Sequence, residues 1–440
     1  MDEITLTAAD VWTVVASALV LFMTPGLALF YGGMTRAKAV LNMMLMSFIA
    51  IGLVTVVWIL WGYSMSGGDP ILGGLLADPT SAFGLNNLIG TGDLLGAAFG
   101  ATFAIITVAL ISGAIADRAK FGAWALFVPL WATLVYAPLA FMVWGGGLLT
   151  EDGAIGSRVG EAIDFAGGLV VHINAGVAAL ILIVIVGARK GFGKDPNQRP
   201  HNLPLVMLGA AILWFGWFGF NVGAADSPEQ AGLILVNTMA APSTAMLGWL
   251  LTERIRDGHA TSLGGASGVI AGLVAITPAC ANVSPVWAMV LGFVSGICSA
   301  VAVGLKYRLK MDDSLDVIGV HLVSGLVGTV ALGFIALPSE GTAGLFYGGG
   351  FGLLGTQLLA VVVSVVYCAV VTTVIAVAID KTVGFRITEE EEIQGVDVTT
   401  HAESGYNLAG DASGSFLPRT TTGASIRPGA AAETAGDTRR

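Results

Sequence analysis

Apolar positions in this chain run in long unbroken stretches instead of alternating with polar ones. They fall near residues 9–32, 39–66, 94–116, 121–146, 163–187, 203–224, 232–252, 262–277, 286–305, 314–336 and 351–379. Most match the ~20 residues that a helix needs to cross a hydrocarbon layer about 30 Å thick; 262–277 is short, with indefinite ends. The pattern predicts an all-α integral membrane protein of eleven transmembrane helices. The first residues, Met-Asp-Glu-Ile-Thr, offer no basic leader or cleavage site, so the first run is expected to stay as a helix.

Basic residues add an orientation. Fifteen of them, from Arg36 and Lys38 through Lys381 and Arg386, lie in one alternating set of connections. The opposite set holds Arg158 alone, and the remaining four of the 20 lie in the C-terminal tail. Positive charge stays on the cytoplasmic side, which predicts an outside N-terminus and a cytoplasmic C-terminus.

Two segments repeat one plan. Asp164, seven residues, His172, two residues, Ala175, Gly176, two residues and Ala179 match Asp313, His321, Ser324, Gly325 and Gly328 at the same spacing. They fall in the fifth and tenth runs, which enter from opposite sides. Five-plus-five inverted repeats with one additional C-terminal helix follow, an architecture of transporters with a midplane site. At 1.5 Å rise per residue, His172 lies ~12 Å below Asp164. A histidine at that depth is a functional candidate by default, although bonding a backbone carbonyl is its plainer use. Two neutral imidazoles can share one proton and offer their outer nitrogens to a small solute. Haem ligation by the same pair is the redox alternative; no c-type attachment motif occurs. Asp164, at a helix start, can cap free N–H groups.

Composition narrows the class further. The chain is 55% hydrophobic and 11% charged, with mean hydropathy +0.82, against about 25% charged in soluble domains. The 61 glycines suit close helix packing in lipid. A net charge of −10 gives no nucleic acid a footing, and three cysteines give neither a disulfide framework nor metal-ligand spacing. No cofactor and no catalytic domain are expected. The organisation reads as 1–380 in the membrane, 381–407 as a charged segment, and 408–440 as a disordered tail rich in Gly, Ala, Ser and Thr.

Asp164-Phe-Ala-Gly-Gly with His172-Ile-Asn, Trp217-Phe-Gly-Phe220-Asn221, Thr277-Pro-Ala-Cys280, Asp316-Val with His321, and Gly395-Val-Asp-Val with His401 carry a resemblance. The chain resembles the ammonium transporter (Amt/Rh/methylammonium permease) family, in its bacterial Amt branch, from about residue 9 to 407. The resemblance implies a homotrimer with one pore per protomer, carrying ammonium or ammonia and possibly methylammonium. His172 and His321 would then line the pore as a proton relay. Trp144, Phe99, Asp164 and Ala224 would form the outer recruitment site, and Phe103 with Phe220 a hydrophobic gate. Trp217, Ser267 and Thr277 would line the pore, with Asp313 and Asp316 at the cytoplasmic mouth. Gly395, Asp397 and His401 would belong to a regulatory tail read by a PII-type signal protein. One departure stands out: residue 224 is alanine where many bacterial relatives carry a serine. Open alternatives are a passive NH3/CO2 channel of Rh type and an ammonium sensor acting through a partner.

Overall fold

The computed structural model describes residues 6–192, 194, 200–339 and 342–406. Asn407 and the expected disordered tail, 408–440, lie outside the described residues. Eleven main helices follow in order: α1 Ala8–Met34, α2 Val40–Gly67, α3 Asp93–Ile115, α4 Phe121–Trp144, α5 Gly168–Val186, α6 Leu203–Val222, α7 Pro228–Asp257, α8 Ser262–Ile276, α9 Pro285–Leu309, α10 Ile318–Ile335 and α11 Gly352–Thr382. Ten are long and apolar enough to cross a membrane; α8, of 15 residues, spans only ~22 Å. Two short helices, α12 Glu389–Gln394 and α13 Val396–His401, follow α11. Between α2 and α3 the only sheet among the described residues pairs β1 (Pro70–Ile71) with β2 (Leu76–Ala77), antiparallel.

The helix starts are written in local sequence. Asn202, Ser227, Thr261 and Ser284 each accept an N–H from the first turn of α6 to α9. Proline follows the cap in α6, α7 and α9, where its missing N–H costs nothing. Helices α5 and α10 begin four to five residues later than their apolar runs. Gly167, at φ +116°, and Asp316, at φ +64°, turn the chain just before them. His172 therefore lies in the first turns of α5, not eight helical residues below Asp164.

Helix α1 packs along α6, and α7 along α9 and α8. The two halves meet where α5 crosses α10. A Cβ on Gly176 would stand 2.5 Å from Leu322 Cβ, and one on Gly325 would stand 3.0 Å from Ile173 Cγ1. In each case the glycine four residues after the histidine receives the residue just after the other histidine, so the matched glycines are the contact that brings the rings together.

At the end rich in Lys and Arg, buried cations lock the connections. Arg118 donates to the carbonyls of Gly187 at 2.7 Å and Asp312 at 2.8 Å, and to the Ser314 hydroxyl. Burial pushes its pKa down to about 10, which leaves it charged at neutral pH. Arg189 pairs with Asp312 at 2.8 Å and Asp117 at 3.1 Å. Burial opposes its charge, yet these carboxylates hold its pKa above the usual guanidinium range.

Candidate functional site

An outer cavity of about 580 Å³ opens between α2, α3, α4 and α6. Trp58, Tyr63, Phe99, Tyr136, Trp144, Phe165 and Ala224 line it, and Phe103 and Phe220 form its floor. These two rings stack at 4.2 Å and 26°. Phe99 meets Phe103 edge-on at 4.8 Å, and Trp144 meets Phe103 edge-on at 6.3 Å. Trp144 is 40% exposed, and its indole N–H donates to the Asp164 carbonyl at 2.7 Å. Such an arrangement presents ring faces to a cation over a closed apolar floor.

Phe220 also lines a second, slender cavity beyond the floor, walled by Leu27, Ile106, Leu110, Leu213, Ile270, Trp217, His172 and His321. A water-sized molecule has about 10 Å³ to move there, enough for one small solute. The histidine rings lie edge to edge and nearly coplanar, with centroids 5.4 Å apart, planes 16° from parallel, and Nδ1 to Nδ1 at 3.3 Å. The Trp217 ring lies 5.5 Å from the His172 ring and 17° from parallel to it. His172 Nε2 is buried with no partner among the described residues. Both rings sit in wide π turns, Gly168–Ile173 and Ile318–Leu322. Interrupted winding of this kind is frequent at functional sites.

Asp164 is buried and is not among the residues that line the outer cavity. Its carboxylate accepts the N–H groups of Gly167 (3.1 Å), Gly168, Leu169 (2.9 Å) and Val170 (3.2 Å), which caps α5. Asp313 caps α10 at Ile318 N–H, 2.7 Å, while its Oδ1 is buried without a partner among the described residues. Asp316 pairs with Lys306, which also donates to the Asp313 carbonyl at 3.0 Å. Thr277 stands behind Trp217, accepting its indole N–H at 2.9 Å. Ser267, buried in α8, sits one turn before Ile270.

The C-terminal segment docks on the basic end of its own chain. Phe385 and Ile387 pair by backbone with Lys120 and Arg118. Gly395, at φ +120°, crosses Lys38 so closely that a Cβ would lie 2.8 Å from Lys38 Cβ. The Asp397 carboxylate accepts Leu41 N–H at 3.0 Å and Asn42 N–H at 2.8 Å, the first free amides of α2. His401 Nε2 bonds Asn42 Oδ1 at 3.0 Å, and its ring meets Phe121 edge-on. Gly395, Asp397 and His401 thus act on one connection, α1 to α2.

The sequence reading missed the vestibule walls Trp58, Tyr63 and Tyr136, and the apolar lining below the gate. Their only signal is an aromatic or aliphatic side chain within an apolar run, which dozens of positions share.

The family model described as Ammonium Transporter Family matches residues 11–406. The chain is 51% identical over 443 residues to the ammonium transporter of Mycobacterium tuberculosis, covering 93% of this chain and 92% of that one. It is 46% identical over 412 residues to the ammonium transporter of Aquifex aeolicus, covering 91% and 94%. Among solved structures it resembles one titled Sensor Amt Protein (TM-score 0.83, 28% identity, 91% of this chain and 100% of that one). It also resembles Candida albicans Mep2 (TM-score 0.79, 33% identity, 87% of each).

Proposed function

Because the chain belongs to the Ammonium Transporter Family, we propose that this multi-pass membrane protein selects NH4+ at the aromatic vestibule. The ion then loses its proton and passes as NH3 beside His172 and His321. That it transports ammonium, and is not an enzyme, follows from the family; the route and the proton are the finer part of the proposal.

One observation carries the route: two buried imidazoles at Nδ1–Nδ1 3.3 Å, in a slender cavity directly beyond the Phe103–Phe220 floor. Energetics supply the reason for deprotonation. A Trp face holds a monovalent cation by roughly 0.5–2 kcal/mol, whereas an unpaired ion in an apolar interior costs tens of kcal/mol by Born solvation. The vestibule can therefore collect the ion, but the gate favours the neutral molecule. Within the pair, one Nδ1 donates and the other accepts, so one Nε2 carries a proton and the other is bare. A bare Nε2 accepts an N–H from ammonia or a proton, and transfer between the Nδ1 atoms moves charge along the pair. Uptake is then electrogenic, with NH3 and H+ following coupled routes.

The remaining reading is supported by charge and fit. The basic end is cytoplasmic by the positive-inside bias, placing the vestibule outside the plasma membrane. Residues 1–380 form the transport unit, and 381–407 form a regulatory segment whose docking suits control by a PII-type protein on a homotrimer. A second reading, ammonium sensing through a partner, has the likeness to the Sensor Amt Protein in its favour.

Ammonium-evoked current in purified, reconstituted protein tests the proposal. Wild type should give current, and His172→Ala or His321→Ala should abolish or alter it while the oligomer still assembles. Unchanged current and selectivity in both variants would remove the histidines from the route. Ammonium binding without any flux would favour sensing.

A further inference from the structure

Gln357 is a fully buried amide in α11, the helix that stands outside the two repeats. Its Oε1 accepts the Ile163 N–H at 2.9 Å; its Nε2 donates to the Ile163 carbonyl at 2.9 Å and to the Thr329 carbonyl at 3.1 Å. One side chain thus satisfies both backbone groups of Ile163, as a neighbouring strand would. Thr356, the preceding residue of α11, donates its hydroxyl to the Val159 carbonyl. The loop before α5 is pinned twice from the same helical turn.

The residue after Ile163 is Asp164. Its carboxylate caps α5, and its carbonyl holds the Trp144 indole at 2.7 Å. A continuous line of bonds runs from Gln357 through Ile163 and Asp164 to the ring on the vestibule wall. The other half offers a comparison. Asp312 stands one residue before Asp313, as Ile163 stands before Asp164, and its carbonyl is held by the Arg118 guanidinium at 2.8 Å. Both loops are therefore anchored one residue ahead of the capping aspartate. The anchor at the basic end is a cation; the anchor beside the vestibule is a neutral amide. A cation there could hold the Ile163 carbonyl but has no acceptor for the Ile163 N–H, and it would repel a positively charged solute at close range.

We propose that Gln357 is a positioning residue for cation recruitment, setting through Ile163 where Asp164 and the Trp144 ring stand without adding positive charge to the vestibule. The inference rests on the reading of Trp144 as the recruiting face. Cation–π attraction depends on the ion lying over the ring within about 6 Å of its centre, so a displaced indole weakens capture and leaves the pore below untouched.

The test is the concentration dependence of ammonium-evoked current in the full-length reconstituted protein. Gln357→Met keeps the length and removes the amide; it should raise the half-saturating ammonium concentration about fivefold, the scale of a lost net hydrogen bond. Maximal current should stay within about twofold. Gln357→Glu keeps an acceptor for the Ile163 N–H but loses both donors. Lowering the external pH should restore part of its affinity relative to wild type, since a protonated carboxyl regains one donor; this variant decides the matter if the methionine protein does not assemble. Trp144→Leu should raise half-saturation by itself, and adding Gln357→Met to it should cause no further rise. The proposal is overturned if Gln357 variants lower maximal current at unchanged half-saturation, or if their effect multiplies with that of Trp144→Leu. If Trp144→Leu alone leaves half-saturation unchanged, the recruitment reading itself fails, and this inference falls with it.

Discussion

Replacing Asp397 by alanine tests whether the C-terminal segment holds a membrane helix from outside. The residue before α2, Ala39, has no side-chain acceptor, and two of the helix's first amides, Leu41 and Asn42, bond Asp397 instead, at 3.0 and 2.8 Å. Removing a capping side chain costs about 0.5–2 kcal/mol. Two bonds from a carboxylate at the positive end of a helix point to the upper half of that range. Burial acts the other way: it pushes the Asp397 carboxyl up, despite those bonds. The balance is about 1 kcal/mol, which makes local opening about fivefold more frequent. Amide hydrogen exchange in the reconstituted protein should show that rise at Leu41 and Asn42 and at 396–401 together. Asp397→Asn, with one acceptor oxygen, should fall between. Gly395→Ala should free the whole segment, because its Cβ would meet Lys38 at 2.8 Å and φ is +120°. Loosening of the C-terminal segment with unchanged exchange at Leu41 and Asn42 would show that the carboxylate does not cap α2.

Further expectations concern the vestibule and the tail. Ala224 lines the outer cavity without a hydroxyl; Ala224→Ser should raise apparent ammonium affinity, within the ~0.5–1.5 kcal/mol of a net hydrogen bond, and unchanged half-saturation of the current would mean another donor or water already serves the ion. Deleting 384–440 should abolish PII-dependent inhibition and lower basal transport, whereas deleting 408–440 should change little. Loss of PII control in the shorter deletion, with transport intact, would assign regulation to 408–440 and not to 384–407.

The spans were legible because a lipid-facing helix must be apolar along its length. The paired aspartates and histidines were legible because each is a rare polar residue in an apolar run, repeated at one spacing. What escaped depends on partners far along the chain. Gln357 is one polar residue in a long apolar run, and its partner Ile163 is 194 residues away. Asp397 is marked by its resemblance to a regulatory tail, but its partner Asn42, 355 residues away, is not. The late starts of α5 and α10 escaped because hydropathy continues smoothly through backbone turned by Gly167 and Asp316. The bond from the Trp217 indole to Thr277, at 2.9 Å, is a pairing that spacing alone does not record.

The crossing of α5 and α10 has the logic of an isologous interface, one patch used twice, although a single chain supplies both copies. In a true two-fold dimer a mutation strikes both contacts equally. Here the halves have drifted: a Cβ on Gly176 would meet Leu322 Cβ at 2.5 Å and its Cα and N at 2.8 Å, whereas one on Gly325 would meet Ile173 Cγ1 at 3.0 Å and backbone only from 3.3 Å. Backbone cannot yield, but an isoleucine branch can turn. The same motif is thus tighter on one side than on the other. The separation of the two rings is therefore anchored by the first half of the chain, and the second half is the place where it can be tuned.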